Sequence, residues 1–120
     1  FTFYQNGEIV DSKKIEKLYD YTKEDFIYLG CANPENKEYS YYFKGKICEV
    51  AIWNSALDMK EVKSLHKNNY VKSLTDNFKE YTSSKDLLLY YDFKHIVGNQ
   101  VLDNSGNSRS KKRSEDRKFR

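Results

Sequence analysis

Few residues of this 120-residue chain could do chemistry. His66 and His95 could move a proton or hold a metal, but neither has a nucleophile or a partner at a motif spacing. Cys31 and Cys48 belong to no C-x-x-C pair, which excludes a zinc ribbon. If a hairpin with its turn near Asn36 joins their segments, Cys31 faces Phe43 and not Cys48, so a disulfide needs another register. The oxygen-bearing clusters say more. Asp103-Asn104-Ser-Gly-Asn107 sets one Asp and two Asn around a glycine turn, which can wrap a calcium ion, although a plain Asx turn is the more ordinary reading of the same composition. In the polar loop 31–40, Asn33, Glu35 and Glu38 offer oxygens to a ligand. Tyr28, Tyr39 and Tyr41 surround that loop with rings on which a sugar could stack.

The elements that must position these residues follow from local pattern. From Lys44 to Trp53 the side chains alternate: Ile47, Glu49 and Ala51 point one way, while Cys48, Val50 and Ile52 point the other. With β-branched and aromatic residues dominant, this predicts a strand buried partly on both faces. Gly45 serves there as a bulge or a place of close approach. Asn54-Ser55 turns the chain, and Asp58 with Glu61 three residues on predicts a capping box for a helix over 59–67. Leu57, Val62 and Leu65 form its apolar stripe, with Lys60, Lys63 and Lys67 in water. At the start of the chain, Asn6-Gly7 between short apolar segments predicts a β-hairpin over 3–10. Alternation in Ser40-Tyr-Tyr-Phe43 requires some of those rings to face inward.

Phe43 to Leu65 fit the pattern F-x-G-x-I-x-E-V-x-I-W-N-x-A-L-x-x-x-E-V-x-x-L. This resembles the closing strand and helix of laminin-G-like and pentraxin-like modules of the concanavalin-A-like jelly-roll superfamily. Tyr4-Gln-Asn-Gly7 resembles the family's preceding hairpin, and Asp25-Phe-Ile-Tyr-Leu-Gly30 its next strand. Residues 1–68 thus look like the second half of one jelly roll. Leu87-Leu-Leu-Tyr-Tyr-Asp-Phe93 and Val101-Leu-Asp-Asn-Ser-Gly-Asn107 look like the opening strand and D-x-S-G-N motif of the same family. Residues 69–86 then form a linker or a loop. Segment 87–108 either starts a second module or joins the first module's sheet.

The resemblance implies an all-β, antiparallel concanavalin-A-like jelly-roll sandwich, here partial, with one short helix. It implies a non-catalytic recognition or adhesion module that binds glycan or protein within a larger surface or secreted protein. A scaffold role in a viral particle or multiprotein complex, or an accessory role beside a separate catalytic domain, are the alternatives. Glucanases of this fold carry an E-x-D-x-x-E strand whose paired carboxylates do the hydrolysis, and no Glu here is followed two residues later by Asp. Pentraxins place calcium ligands directly after the strand that matches Tyr28-Leu-Gly30. Here Cys31, Ala32, Asn33 and Pro34 offer one side-chain oxygen where a hard cation takes several.

Charge is unevenly spread. Residues 109–120 hold seven Lys or Arg and two acids, a net of +5, while the whole chain is +3, so residues 1–108 sum to −2. The basic run has no apolar period and predicts a disordered, solvated tail, or a polybasic contact with anionic lipid or sulfated glycan. No nucleic-acid partner is expected, because the run lacks interleaved aromatics and a recognition helix. No apolar run is long enough to span a membrane, and the family resemblance places the chain outside the cell or at its surface.

Overall fold

The computed structural model describes residues 1–17, 28–32, 41–69 and 71–107. Two compact units divide the chain: Phe1–Lys13 with Cys48–Arg120, and Lys14–Ile47. Among the described residues, all the regular elements lie in the first.

The Asn-Gly signal makes the hairpin expected of it. Strand β1 (Thr2–Gln5) pairs antiparallel with β2 (Glu8–Ser12), with Tyr4 opposite Ile9 and Phe3 opposite Asp11 across a register shift. Asn6 and Gly7 turn at φ 52° and 80°, the left-handed conformations that Asn tolerates and Gly adopts freely. A Cβ on Gly7 would sit 3.1 Å from the Cβ of His66, so the turn rests against the helix.

Strand β3 (Val50–Trp53) pairs antiparallel with β4 (Leu87–Tyr91), Val50 opposite Tyr91 and Ala51 opposite Tyr90. All four β3 residues are half-buried, as two-faced alternation predicts. The strand is shorter than the expected 44–53. Pairing with β4 ends at Val50. A third antiparallel pair joins β5 (Ile96–Val97) and β6 (Gln100–Val101).

Helix α1 (Met59–Asn68) starts at the predicted capping box. The Asp58 side chain accepts from Glu61 N–H at 2.9 Å, and Glu61 Oε2 accepts from Asp58 N–H at 3.2 Å. Val62 and Leu65 are half-buried as the stripe requires, and Lys63, at the solvent boundary, pairs with the exposed Glu8 on β2 at 3.2 Å. Asn69 ends the helix in the left-handed conformation.

Residues 71–86, which composition marks as linker or loop, supply much of the core. Leu74, Leu87 and Tyr90 form its buried centre, with Ala51, Trp53, Leu65 and Phe78 packed against it. Tyr81 is fully buried, at 0% exposure. Its hydroxyl accepts from Trp53 Nε1 and donates to the Leu74 carbonyl, both at 2.9 Å, so one buried oxygen ties β3 to this loop. A short 3₁₀ turn (Ser84–Asp86) leads into β4, and Asp86 receives Asn54 N–H and Ser55 Oγ. Antiparallel pairs with one short α-helix are the partial all-β arrangement read from the sequence.

Candidate functional site

The unit Lys14–Ile47 contains an open groove of about 380 Å³, lined by Gly30, Cys31, Ala32, Tyr41, Phe43 and Ile47. Phe43 N–H donates to the Gly30 carbonyl at 2.8 Å, which brings its two walls together. Of the two roles expected of Gly45, a bulge or a close approach by another backbone, the structure shows a close approach, made by a side chain. A Cβ there would lie 2.7 Å from Phe43 Cε1, so the missing side chain is the space into which the Phe43 ring folds. The expected alternation in 40–43 does not hold: Tyr41, Tyr42 and Phe43 are 71%, 65% and 60% exposed. Tyr41 has φ 44°, outside the extended region, so the strand geometry that would turn alternate rings inward is interrupted there.

Of the residues picked from sequence as ligand contacts, Tyr41 lines the groove and Tyr28, 40% exposed, lies two residues before its wall at Gly30. Asn33, Glu35, Glu38 and Tyr39 lie outside the described residues. Phe43 and Ile47 were not picked, because both read as strand core. The Phe43-x-Gly45 spacing was the available signal, since a glycine two residues from an aromatic leaves room for its ring. The described lining is apolar apart from the Cys31 thiol and the Tyr41 hydroxyl. Chemically it can receive an apolar side chain or the C–H face of a sugar, with little hydrogen bonding from the lining itself. Cys31 is half-buried and Cys48 exposed, and both are thiols.

The Asp103 loop uses its polar groups to hold the chain. Asp103 Oδ1 accepts from Tyr90 N–H at 2.8 Å and Ser105 N–H at 2.9 Å, and Oδ2 accepts from Ser105 Oγ at 3.1 Å. Asn107 Nδ2 donates to the carbonyls of Leu87 and Leu88 at 2.6 and 3.1 Å, and Asn104 N–H to the Tyr90 carbonyl at 2.7 Å. Both Asp103 oxygens accept from N–H or O–H donors, and together with Asn104 and Asn107 they latch the loop onto β4. Among the described residues no three His, Cys, Asp or Glu side chains converge on one point.

Two carboxylates carry unusual environments. Glu61 is 6% exposed; burial alone would raise its carboxyl, but hydrogen bonds from Ser83, from Thr82 and from the Asp58 backbone outweigh that and hold it below the usual range. Asp92 is likewise held low, burial being outweighed by the Lys94 and His95 backbones and the His95 ring. The His95 ring nitrogen Nδ1 lies 2.9 Å from Asp92 Oδ2. An ionised carboxylate only accepts, so Nδ1 carries the proton in this contact. Sequence spacing alone missed this partner three residues upstream. The pair lacks the third member of a hydrolytic constellation: among the described residues no hydroxyl or thiol is hydrogen-bonded to His95.

No helix among the described residues is long and apolar enough to cross a membrane. A family model described as the concanavalin A-like lectin/glucanases superfamily, of laminin-G type, matches residues 1–63. No curated protein and no solved structure matches the chain.

Proposed function

Because the chain belongs to the concanavalin A-like lectin/glucanase superfamily, we propose that it is a non-catalytic recognition module that binds a glycan or a protein through the groove beside Tyr41 and Phe43. The observation that carries this reading is the exposure of three consecutive aromatic residues next to an apolar groove. Exposed rings cost solvation and are retained where they meet a partner. Tyr28, Asn33, Glu35, Glu38 and Tyr39 complete the contact surface in this reading. The absence of an E-x-D-x-x-E strand from the sequence supports a role without hydrolysis. Membership in this superfamily supports a place outside the cell or on its surface, within a larger protein.

A second reading, assembly, is favoured by the β1–β2 hairpin, where Phe1, Phe3, Ile9 and Val10 are all at least half exposed. Glycan and protein arrays probed with the 120-residue chain, with calcium and with EDTA, test the proposal. Retention of a ligand in EDTA supports recognition by the groove without metal. Retention only with calcium supports a metal-dependent site and overturns the latch reading of Asp103. A chain that binds nothing on either array and sediments as a stable oligomer supports assembly.

A further inference from the structure

The chain holds a single Asn-Gly pair, Asn6-Gly7, and that pair forms the β1–β2 turn. Asn6 is exposed, and its side-chain amide makes no hydrogen bond to a described residue. By contrast, Asn68, Asn77 and Asn107 hold backbone atoms with their amides. Every other asparagine is followed by a residue whose side chain crowds its own backbone nitrogen. Gly7 has no Cβ, so its nitrogen can come close to Cγ of Asn6.

That approach permits a reaction that needs water alone. The Gly7 nitrogen attacks Asn6 Cγ: the N–Cγ bond forms, the Cγ–Nδ2 bond breaks, and Nδ2 leaves as ammonia with the proton that Gly7 gives up. A cyclic succinimide is left. Water then opens the ring at either carbonyl. One opening yields aspartate on an ordinary main chain, and the other yields isoaspartate, whose main chain runs through Cβ and Cγ and is longer by one carbon.

The turn has no room for that extra atom on its inner side. Gly7 is buried, and a Cβ there would stand 3.1 Å from His66 Cβ and 3.2 Å from its Cγ and Cδ2. The turn is also short, closing directly onto the Gln5–Glu8 pair, so a longer main chain has to bulge within it. Glu8, the next residue, carries the ion pair to Lys63 at 3.2 Å. Both of these contacts between the hairpin and α1 therefore hang on the residues directly after Asn6.

We propose that Asn6 is a self-modifying site, and that its conversion to isoaspartate lifts the β1–β2 turn off α1. The test is to age the 120-residue chain at neutral pH and body temperature. Ammonia release and peptide mass mapping follow the chemistry, enzymatic isoaspartate methylation marks the lengthened main chain, and nuclear Overhauser contacts between Gly7 and His66 follow the turn. Two variants separate the causes. Asn6→Gly keeps the left-handed position without an amide, and freshly made Asn6→Asp adds the charge without lengthening the chain.

Asn6 should be the first asparagine to convert, and the Gly7–His66 contacts should be lost in the isoaspartate form while those between β3 and β4 remain. Asn6→Gly and fresh Asn6→Asp should both keep the Gly7–His66 contacts. An Asn6 that stays an amide, or that outlasts another asparagine of the chain, overturns the site. Contacts retained in the isoaspartate form, or already lost in fresh Asn6→Asp, overturn release of the turn by the longer main chain.

Discussion

Glu61 Oε1 accepts a hydrogen bond from Ser83 Oγ at 2.6 Å, joining the first turn of the helix to a residue 22 positions later in the chain. The same oxygen accepts Thr82 N–H at 3.0 Å and Thr82 Oγ1 at 3.3 Å, while the other closes the capping box. One buried carboxylate thus caps a helix and fastens the loop that carries Tyr81. Removing it leaves those donors without a charged acceptor. Glu61→Ala should lower stability by about 3 kcal/mol, and Glu61→Gln by less, because an amide oxygen still accepts. Urea denaturation of both variants measures the difference.

Acid should loosen the same latch. The carboxyls of Glu61 and Asp92 are held below their ordinary values of 4.5 and 3.8, so the unfolded chain takes up these protons first as pH falls. Their contribution is therefore complete above those ordinary values and is lost as pH drops through the lower folded ones. Urea midpoints should depend little on these two groups between pH 7 and 5 and fall below about pH 4.5. Glu61→Gln should flatten that fall.

At the alkaline end the sign reverses. Burial raises the Tyr90 phenol, helped by its hydrogen bond to Glu49 at 2.7 Å. Burial also raises Tyr81, although Trp53 Nε1–H works against it. Both favour the neutral form in the folded state, so their contribution is present below pH 10 and declines as pH rises toward the folded values. A pH titration followed by tyrosinate absorbance should show the Tyr81 and Tyr90 phenols ionising above the ordinary tyrosine value of 10.0.

The Trp53–Tyr81–Leu74 chain predicts an order of severity. Tyr81→Phe leaves both the Trp53 N–H and the Leu74 carbonyl unmatched and should cost about 2–3 kcal/mol. Trp53→Phe removes one donor and leaves Tyr81 bonded to Leu74, so apart from lost packing it should cost less. Thermal melts of the two variants check the order.

Asp103→Ala should destabilise by about 2 kcal/mol, since the carboxylate receives two backbone N–H groups and a hydroxyl. The loss should be equal in calcium and in EDTA if Asp103 holds β4 and not a cation. Differential scanning fluorimetry in both buffers measures it.

What could be read from the sequence was local. Asn6-Gly7 and the Asp58/Glu61 pair each specify a backbone conformation within four residues, and each appears where expected. Tyr81 and Leu74 gave no such signal, because their burial depends on strands and a helix distant in sequence, and Thr, Asn and Ser around them read as loop. The strand before Val50 was overextended for a related reason: alternation marks residues able to pair, while the ladder with β4 runs only from Val50 to Trp53. At the groove, Tyr41 was legible as an exposed ring beside a loop. Phe43 was not, because its place depends on the space above Gly45.

The most direct test of the recognition reading is array binding of a Tyr41→Ala, Phe43→Ala chain beside the wild type, with melting curves for both. Both rings are largely exposed, so melting temperatures should agree closely, while retention of the glycan or protein ligand should be lost in the variant. Equal retention by a variant that melts like the wild type would contradict the groove as the binding site.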